Sequence, residues 1–559
     1  MTPLADPGRA PAWSLRRLTP VAALFVLLTV ALTYPLSTRP HDTVLAEDPD
    51  NHLFIWTLAW NTHALTSNPL GVFDANIYHP QRLTLAYSEN LLGSTPFAAP
   101  VIWLTGNPVL AMNVVALLSV ALCGIGAFVL ARQVGLGVPA AILCGIVFAF
   151  SPARFFRTSQ IHLGPVQWIP FALAFMHAYL EKGRRRDLRL ALGFFTLQVA
   201  TSGHGAVFVA LALGLLTAWK VAMGAPAAPL ARLRDAGVPG VLLIACNLLL
   251  FVPYRLVQQE IGLRRTLENW AASPESFLAS PTTVHAAILG RVAPHVNEVA
   301  SAFLFPGYLV CLLVLLAIAW RRRHAPLTAR FAAGRWPHET GFFLLLTVTC
   351  LLLAVGPPLG IWPLVYWLPG FNFIRGPSRF MILGVLGLAV LSAVGFQRLS
   401  DRLGPRARML AAVLAAALLI LEFAAVPLHV VPFRVRLAPA DRWLASQPKP
   451  FVVAEFPVMT SVRYHSIYML HSMAHWQKTV HGYSGIQVPL HDELYDHMRS
   501  FPDEQSLASL RRVGVSYAVV HADMYPPGAW KDVEARLTAF ESELEMVYSV
   551  GTGRVYALR

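Results

Sequence analysis

PVLAMNVVALLSVALCGIGAFVLA, residues 108–131, runs without a charged side chain until Arg132, and VPAAILCGIVFAFSP, residues 138–152, resumes the same pattern after a short hinge. A helix rising 1.5 Å per residue needs about 20 apolar residues to cross a hydrocarbon layer of about 30 Å. The first stretch meets that length, and its lack of polar periodicity excludes a soluble amphipathic helix. Working outward, the pattern recurs from Leu18 to His429. It predicts eleven spans, at 18–37, 108–131, 138–152, 164–180, 188–203, 205–223, 237–256, 302–320, 340–356, 379–397 and 409–428. Leu91–Thr105, broken by Pro96 and Pro100, is too short and kinked to span and reads as re-entrant or interfacial. The fold class is therefore an α-helical polytopic membrane protein.

Composition agrees. Of 559 residues, 55% are hydrophobic and only 13% charged, against about 25% charged in soluble domains. The net charge of +14 could point to nucleic acid, but the arginines cluster at the ends of apolar runs instead of forming one basic face. Nucleic-acid binding is excluded on that ground. Cys123, Cys144, Cys246, Cys311 and Cys350 all fall inside apolar runs and show neither a disulfide framework nor zinc spacing. Arg16 and Arg17 precede Leu18–Leu32 in the manner of a signal peptide. The run continues into Tyr34-Pro35-Leu36 without a small-x-small cleavage site, so an uncleaved first span is expected.

Basic residues set the orientation. Arg9, Arg16, Arg17, Arg132, Lys182, Arg184–Arg186, Arg189, Lys220, Arg232, Arg234, Arg321–Arg323, Arg330, Arg335, Arg398, Arg402, Arg406 and Arg408 fall on one side. That side is expected to be cytoplasmic, together with the N-terminus (residues 1–17). The opposite side receives the outer loop 38–107, the loop 257–301, the aromatic segment Trp362–Phe373 and the tail 429–559. Polar chemistry belongs in that shared compartment.

The tail reads as a small soluble α/β domain. Phe451–Phe456 and Val515–His521 look like strands, Gln505–Arg512 like a short helix, and 545–550 with 554–558 like a hairpin across Gly551-Thr552-Gly553. It has no phosphate-cradling glycine loop and no nucleophile elbow. His471 and His475 stand four apart, but no acidic third ligand accompanies them in sequence, so they read as polar surface residues.

The sharpest chemical signal is Glu47-Asp48-Pro49-Asp50 in the first outer loop. Asp before Pro marks a helix start, with Asp48 as N-cap and Pro49 at N1. Leu53, Trp56, Trp60 and Ala64 then form one stripe, which predicts an amphipathic helix lying along the outer membrane surface. His79 and Glu89 add polar groups later in the loop. Arg154 and Arg157, with His162, and Arg375 and Arg379 are expected at outer helix ends. There they run against the positive-inside tendency, which a phosphate ligand would explain. His204, between Gly203 and Gly205, is expected at an outer hairpin. Glu422 lies inside the last span and is a functional candidate on cost alone, or else an interhelical partner of an outer arginine. Glu298 is a weaker candidate of the same kind.

Glu47-Asp48-Pro49-Asp50, Phe148-Ala149-Phe150-Ser151-Pro152-Ala153-Arg154, Ile161-His162-Leu163 and Arg375-Gly376-Pro377-Ser378-Arg379-Phe380, in this order and sidedness, resemble the GT-C superfamily of polytopic membrane glycosyltransferases. YfhO-like proteins and related groups are included in that resemblance. It implies a polyprenyl-phosphate-linked sugar as donor, an extracytoplasmic glycan, lipid or protein as acceptor, and a place in a bacterial inner membrane. It implies an aspartate of the first outer loop, here Asp48 or Asp50, as catalytic base or as ligand of a divalent metal such as Mg2+ or Mn2+. Arg154, Arg157, His162, His204, Arg375 and Arg379 become candidates for the lipid phosphate. Proline between the two aspartates departs from the family's plain acidic pair. A non-catalytic envelope-assembly protein and a lipid-linked glycan transporter are the competing expectations.

Overall fold

The computed structural model describes residues 15–223, 229–262, 272–319, 335–356, 359–368, 370–459, 461–486 and 488–559. Arg9 and the basic cluster Arg321, Arg322, Arg323 and Arg330 lie outside the described residues.

A helix occupies each expected span: Leu15–Leu32, Pro108–Gln133, Val138–Phe150, Trp168–Lys182, Arg185–Thr201, Gly203–Ala222, Pro229–Ile261, Tyr308–Ala319, Arg335–Ala354, Met381–Ser400 and Pro405–Phe423. Among the described residues, four helical stretches are long and apolar enough to cross a bilayer: Pro108–Gln133, Gly203–Ala222, Arg234–Ile261 and Pro377–Ser400. Val138–Phe150 is short because it is buried almost throughout by protein, and Gly137 and Ser151 bound it. Thr95–Thr105 forms an eleven-residue helix whose Trp103 and Leu104 are 62% and 85% exposed. That apolar tip suits the interfacial reading.

The chain divides into two compact units. The first comprises Met1–Arg39, Val115–Leu249 and Arg264–His429. Its centre is Met381–Ser400, buried on nearly every face. Small residues let neighbours approach: a Cβ on Gly387 would strike the Thr347 hydroxyl, and one on Gly395 the Leu313 carbonyl. Close backbone packing of this kind replaces the hydrophobic drive that lipid cannot supply.

The second unit comprises Pro40–Val114, Leu250–Leu263 and Val430–Arg559. The tail thus packs with the first outer loop instead of forming a unit of its own. Strands β1 (Thr43–Val44) and β2 (Val431–Pro432) pair antiparallel and tie loop to tail. The tail sheet holds β3 (Val452–Phe456), β4 (Lys478–Thr479), β5 (Tyr517–His521), β6 (Leu544–Val550) and β7 (Gly553–Leu558), ordered β4-β3-β5-β7-β6. β4, β3 and β5 are parallel, and β6–β7 is the hairpin read from the sequence. The helix expected at Gln505–Arg512 is found at Glu504–Arg512, started by Asp503. An open β4 edge would expose unpaired backbone. Loop residues 76–79 cover it: Thr479 donates to the Asn76 carbonyl, and the Tyr78 and His79 amides donate to His481 and Thr479.

Helix Pro49–Ser67 corrects one expectation. Leu53, Trp56, Trp60 and Ala64 are buried, but so are Asn51, His52, Phe54, Ile55, Thr57, Leu58, Asn61 and Thr62. The helix is a core element of the second unit, not an amphipathic surface helix. Its polar residues are satisfied inside: Thr57 and Thr62 bond carbonyls four residues back, and Asn61 donates to the Asn90 carbonyl at 2.7 Å. Trp60 donates to Val72 and packs on Trp476.

Candidate functional site

The second unit carries the acidic group. Asp48 caps helix Pro49–Ser67 with extended backbone, and its Oδ1 accepts from the Asp50 amide at 2.9 Å, with Pro49 at N1 as the sequence predicts. A carboxylate at this helix end meets the positive end of the helix dipole. Asp50 accepts from the Tyr483 hydroxyl at 2.6 Å, and the Arg463 guanidinium stands 3.5 Å from Asp48. Burial first, and the Asp50 carboxylate second, push the Tyr483 hydroxyl above its usual range, so it stays a donor. Glu47 is exposed. Its charge and that of Asp48 act on His52, but burial prevails and holds that imidazole neutral, where its Nδ1 bonds the Ser466 hydroxyl at 2.9 Å.

Tyr483 and Arg463 escaped the sequence reading. They lie more than 400 positions from the aspartates and in no recognisable motif.

Two other loop candidates lie elsewhere in the second unit. His79 bonds the Val513 carbonyl through Nε2 at 3.0 Å, docking loop on tail. Glu89 lies beside Tyr254, whose hydroxyl joins Asn90 at 2.9 Å and the Ser88 carbonyl at 3.1 Å.

The first unit carries a cationic group. Arg379, on the turn Pro377–Phe380 that leads into the central helix, donates through Nη1 to His204 Nε2 at 2.7 Å. Accepting at Nε2 makes His204 neutral, with its proton on Nδ1. Ser202 starts the His204 helix by accepting from Gly205 at 2.9 Å. The His162 ring meets His204 edge-on at 5.8 Å, and Arg379, His204 and Arg157 all lie close enough to act on its charge. Arg157 donates to Gln160 at 3.0 Å and Arg375 is exposed. Arg379, His204 and Arg157 are therefore gathered around His162.

Arg154 is not part of it. Its side chain is fully buried, and its guanidinium donates to the Ala149 carbonyl at 2.8 and 3.1 Å and to the Gly164 carbonyl at 3.1 Å. The fork expected for phosphate is used to join the helix end at Phe150 to the following loop. Arg154→Met is expected to orphan those two acceptors, at about 1–3 kcal/mol each. A lowered melting temperature of the purified protein checks this.

Glu422 is buried as expected, but no arginine among the described residues pairs with it. Its Oε1 takes His285 Nε2 at 2.9 Å and the Tyr308 amide, and its Oε2 takes the Leu309 amide at 3.3 Å. It caps the N-terminus of helix Tyr308–Ala319, which explains its place in the last span without catalysis. Glu298 forms an exposed pair with His295 at 3.1 Å, a solvated contact of little energetic weight.

A divalent metal at Asp48 and Asp50 would share the pair with the Arg463 guanidinium, 3.5 Å from Asp48, and with the capping bond that engages one Asp48 oxygen. The chemistry below uses none.

No family model and no curated protein matches the sequence. Solved structures do match. The arabinofuranosyltransferase AftD from Mycobacteria aligns with a TM-score of 0.60 at 16% identity, over 98% of this chain and 40% of AftD. A variant of AftD aligns at 0.57, again at 16% identity, over 98% of this chain and 42% of its own. ArnT from Cupriavidus metallidurans aligns at 0.45 and 13% identity, over 97% of this chain and 98% of ArnT, a score too low to support an argument. The chain spans about two fifths of the length of AftD. At this identity the likeness establishes the fold alone: the chain shares the architecture of the aligned part of AftD.

Proposed function

We propose that the chain is a glycosyltransferase on the outer face of a bacterial inner membrane. It moves a sugar from a polyprenyl-phosphate donor to an extracytoplasmic acceptor. The observation that carries this reading is the Asp48–Asp50 pair at a helix start, with Asp50 fixed by Tyr483, on a fold shared with an arabinofuranosyltransferase. Eleven crossings, N-terminus inside and tail outside, follow from the sidedness of the arginines.

The chemistry needs a base for the incoming hydroxyl and positive charge for the departing phosphate. Asp50 takes the acceptor proton as the acceptor oxygen attacks the anomeric carbon, and Tyr483 holds the carboxylate in orientation. The bond from that carbon to the phosphate oxygen breaks. The phosphate departs with the bonding electrons, and cations that meet that charge make the larger electrostatic contribution. The first unit, taken by itself, offers Arg379, with Arg157 and the exposed Arg375, as cations suited to a phosphate. His204 positions Arg379 through its Nε2. With Asp50 acting as base for the acceptor, displacement is direct and inverts the anomeric centre.

Reconstituted chain in liposomes, supplied with polyprenyl-phosphate sugars and a hydroxyl acceptor, is expected to release free polyprenyl phosphate. If the lipid-linked sugar instead crosses the bilayer intact, the chain is a transporter. If it does neither, the catalytic reading fails.

A further inference from the structure

The tail sheet contains a second concentration of chemistry that sugar transfer does not use. Glu455, His471 and His521 are all buried, and one donor atom from each lies within 4.8 Å of the others. Glu455 Oε2 bonds His471 Nδ1 at 2.7 Å and His521 Nε2 at 2.8 Å. A single carboxylate oxygen therefore stands at the apex of two imidazole nitrogens.

The placement follows from topology. β3 and β5 are parallel with Glu455 opposite Val519, so Glu455, Val519 and His521 project from one face of the sheet. Both polar residues fall at the C-terminal ends of their strands, where open α/β sheets place ligands. His471 arrives from helix Ser466–Ser472. The same sheet face carries the apolar cluster of Ala440, Leu444, Val453 and Val519. Asp441, 1% exposed and bonded to the Ala438 amide at 2.8 Å, adds a further carboxylate whose charge acts on His471 and His521.

We infer that Glu455, His471 and His521 form a zinc-class metal site inside the tail, with Asp441 as the outer carboxylate. Two imidazoles and a carboxylate match the nitrogen and oxygen donors zinc takes, and leave a fourth position open. Glu455 and Asp441 are buried carboxylates beside the two imidazoles, and a divalent ion supplies positive charge among them. The N–H hydrogens now directed at Glu455 give way as the ion enters, each ring keeping one proton on its other nitrogen and releasing any second proton to solvent. Zinc ligands at about 2.1 Å from the ion are about 3.4 Å apart, so from 2.7 and 2.8 Å each nitrogen needs to retreat by roughly 0.6–0.7 Å. The ion would pin β3 and β5 to helix Ser466–Ser472. By contrast, the other such cluster among the described residues, His177, Glu181 and Glu339, already holds the Lys220 ammonium.

The sequence showed His471 with His475 and lacked the third ligand. The structure supplies Glu455 and His521 from separate strands. It also turns His475 away, to accept from the Gln477 amide at 3.0 Å, and buries both histidines instead of exposing them.

The test uses purified full-length chain in detergent, equilibrated with Zn2+ and then with metal-free buffer. About one zinc per chain should remain, and chelator should lower the melting temperature. Loading with Co2+ should give the visible absorption of a four-coordinate site. Glu455→Gln and His521→Asn should each lose the retained metal, and an Asp48→Asn/Asp50→Asn chain should keep it. Should Glu455→Gln fail to fold, His521→Asn and the Co2+ spectrum of the native chain decide. Native chain that retains no zinc and shows no Co2+ absorption, or metal lost only from the aspartate variant, overturns the inference.

Discussion

Asp50→Asn is expected to lower sugar transfer about 10²–10⁴-fold, the range general-base help contributes, with the protein folded and inserted as before. Asn keeps the shape of Asp and can still accept from Tyr483, so the 2.6 Å bond that orients it survives. What it loses is the capacity to take a proton. Because the loss lies in the transition state, kcat should fall with donor binding little changed. Asp48→Asn separates catalysis from folding. Its capping bond to the Asp50 amide persists with an amide oxygen, since Asn is as good an N-cap as Asp. Its transfer rate should therefore fall much less if Asp50 is the base. Equal loss in both variants would mean that the two carboxylates act as one unit. Normal transfer by both would remove the catalytic assignment.

Arg379→Ala is expected to cost about 10²–10³-fold in transfer rate, the effect of removing one preorganised donor from developing negative charge. The guanidinium is held by a 2.7 Å bond to His204 and lies close enough to His162 to act on its charge, so it is oriented before any ligand arrives. Arg379→Lys should recover only part of the loss, because an ammonium keeps the charge without the planar fork that matches phosphate oxygens. Arg154→Met is the contrasting case, reducing the amount of folded protein and not the rate per folded molecule. If Arg379→Ala instead behaves as Arg154→Met does, Arg379 is a packing residue.

Much of this architecture was legible because lipid imposes a simple pattern. Every expected span contains a helix, since a run such as 108–131 has only one economical way to satisfy its backbone in a bilayer. The Asp48-Pro49 start was equally legible, because capping is local chemistry. So was the β6–β7 hairpin, announced by Gly551-Thr552-Gly553.

What the sequence hid was set by contacts distant along the chain. Helix Pro49–Ser67 looked amphipathic because its buried Asn and Thr side chains look like surface residues until their partners are seen. Arg154 and Arg379 look alike in sequence, yet carbonyls of neighbouring residues claim the first and a histidine 175 positions away holds the second. Tyr483, Glu455 and His521 meet their partners only through the tail's topology, which no local spacing encodes.

The central claim is that Asp50 is the base that activates the acceptor for attack on a lipid-linked sugar. A structure of the chain with an unreactive polyprenyl-phosphate sugar analogue bound tests it most directly. The account requires the Asp50 carboxylate, still bonded to the Tyr483 hydroxyl, to face the anomeric carbon on the side opposite the phosphate. An analogue bound with Asp50 out of reach of the sugar would contradict it.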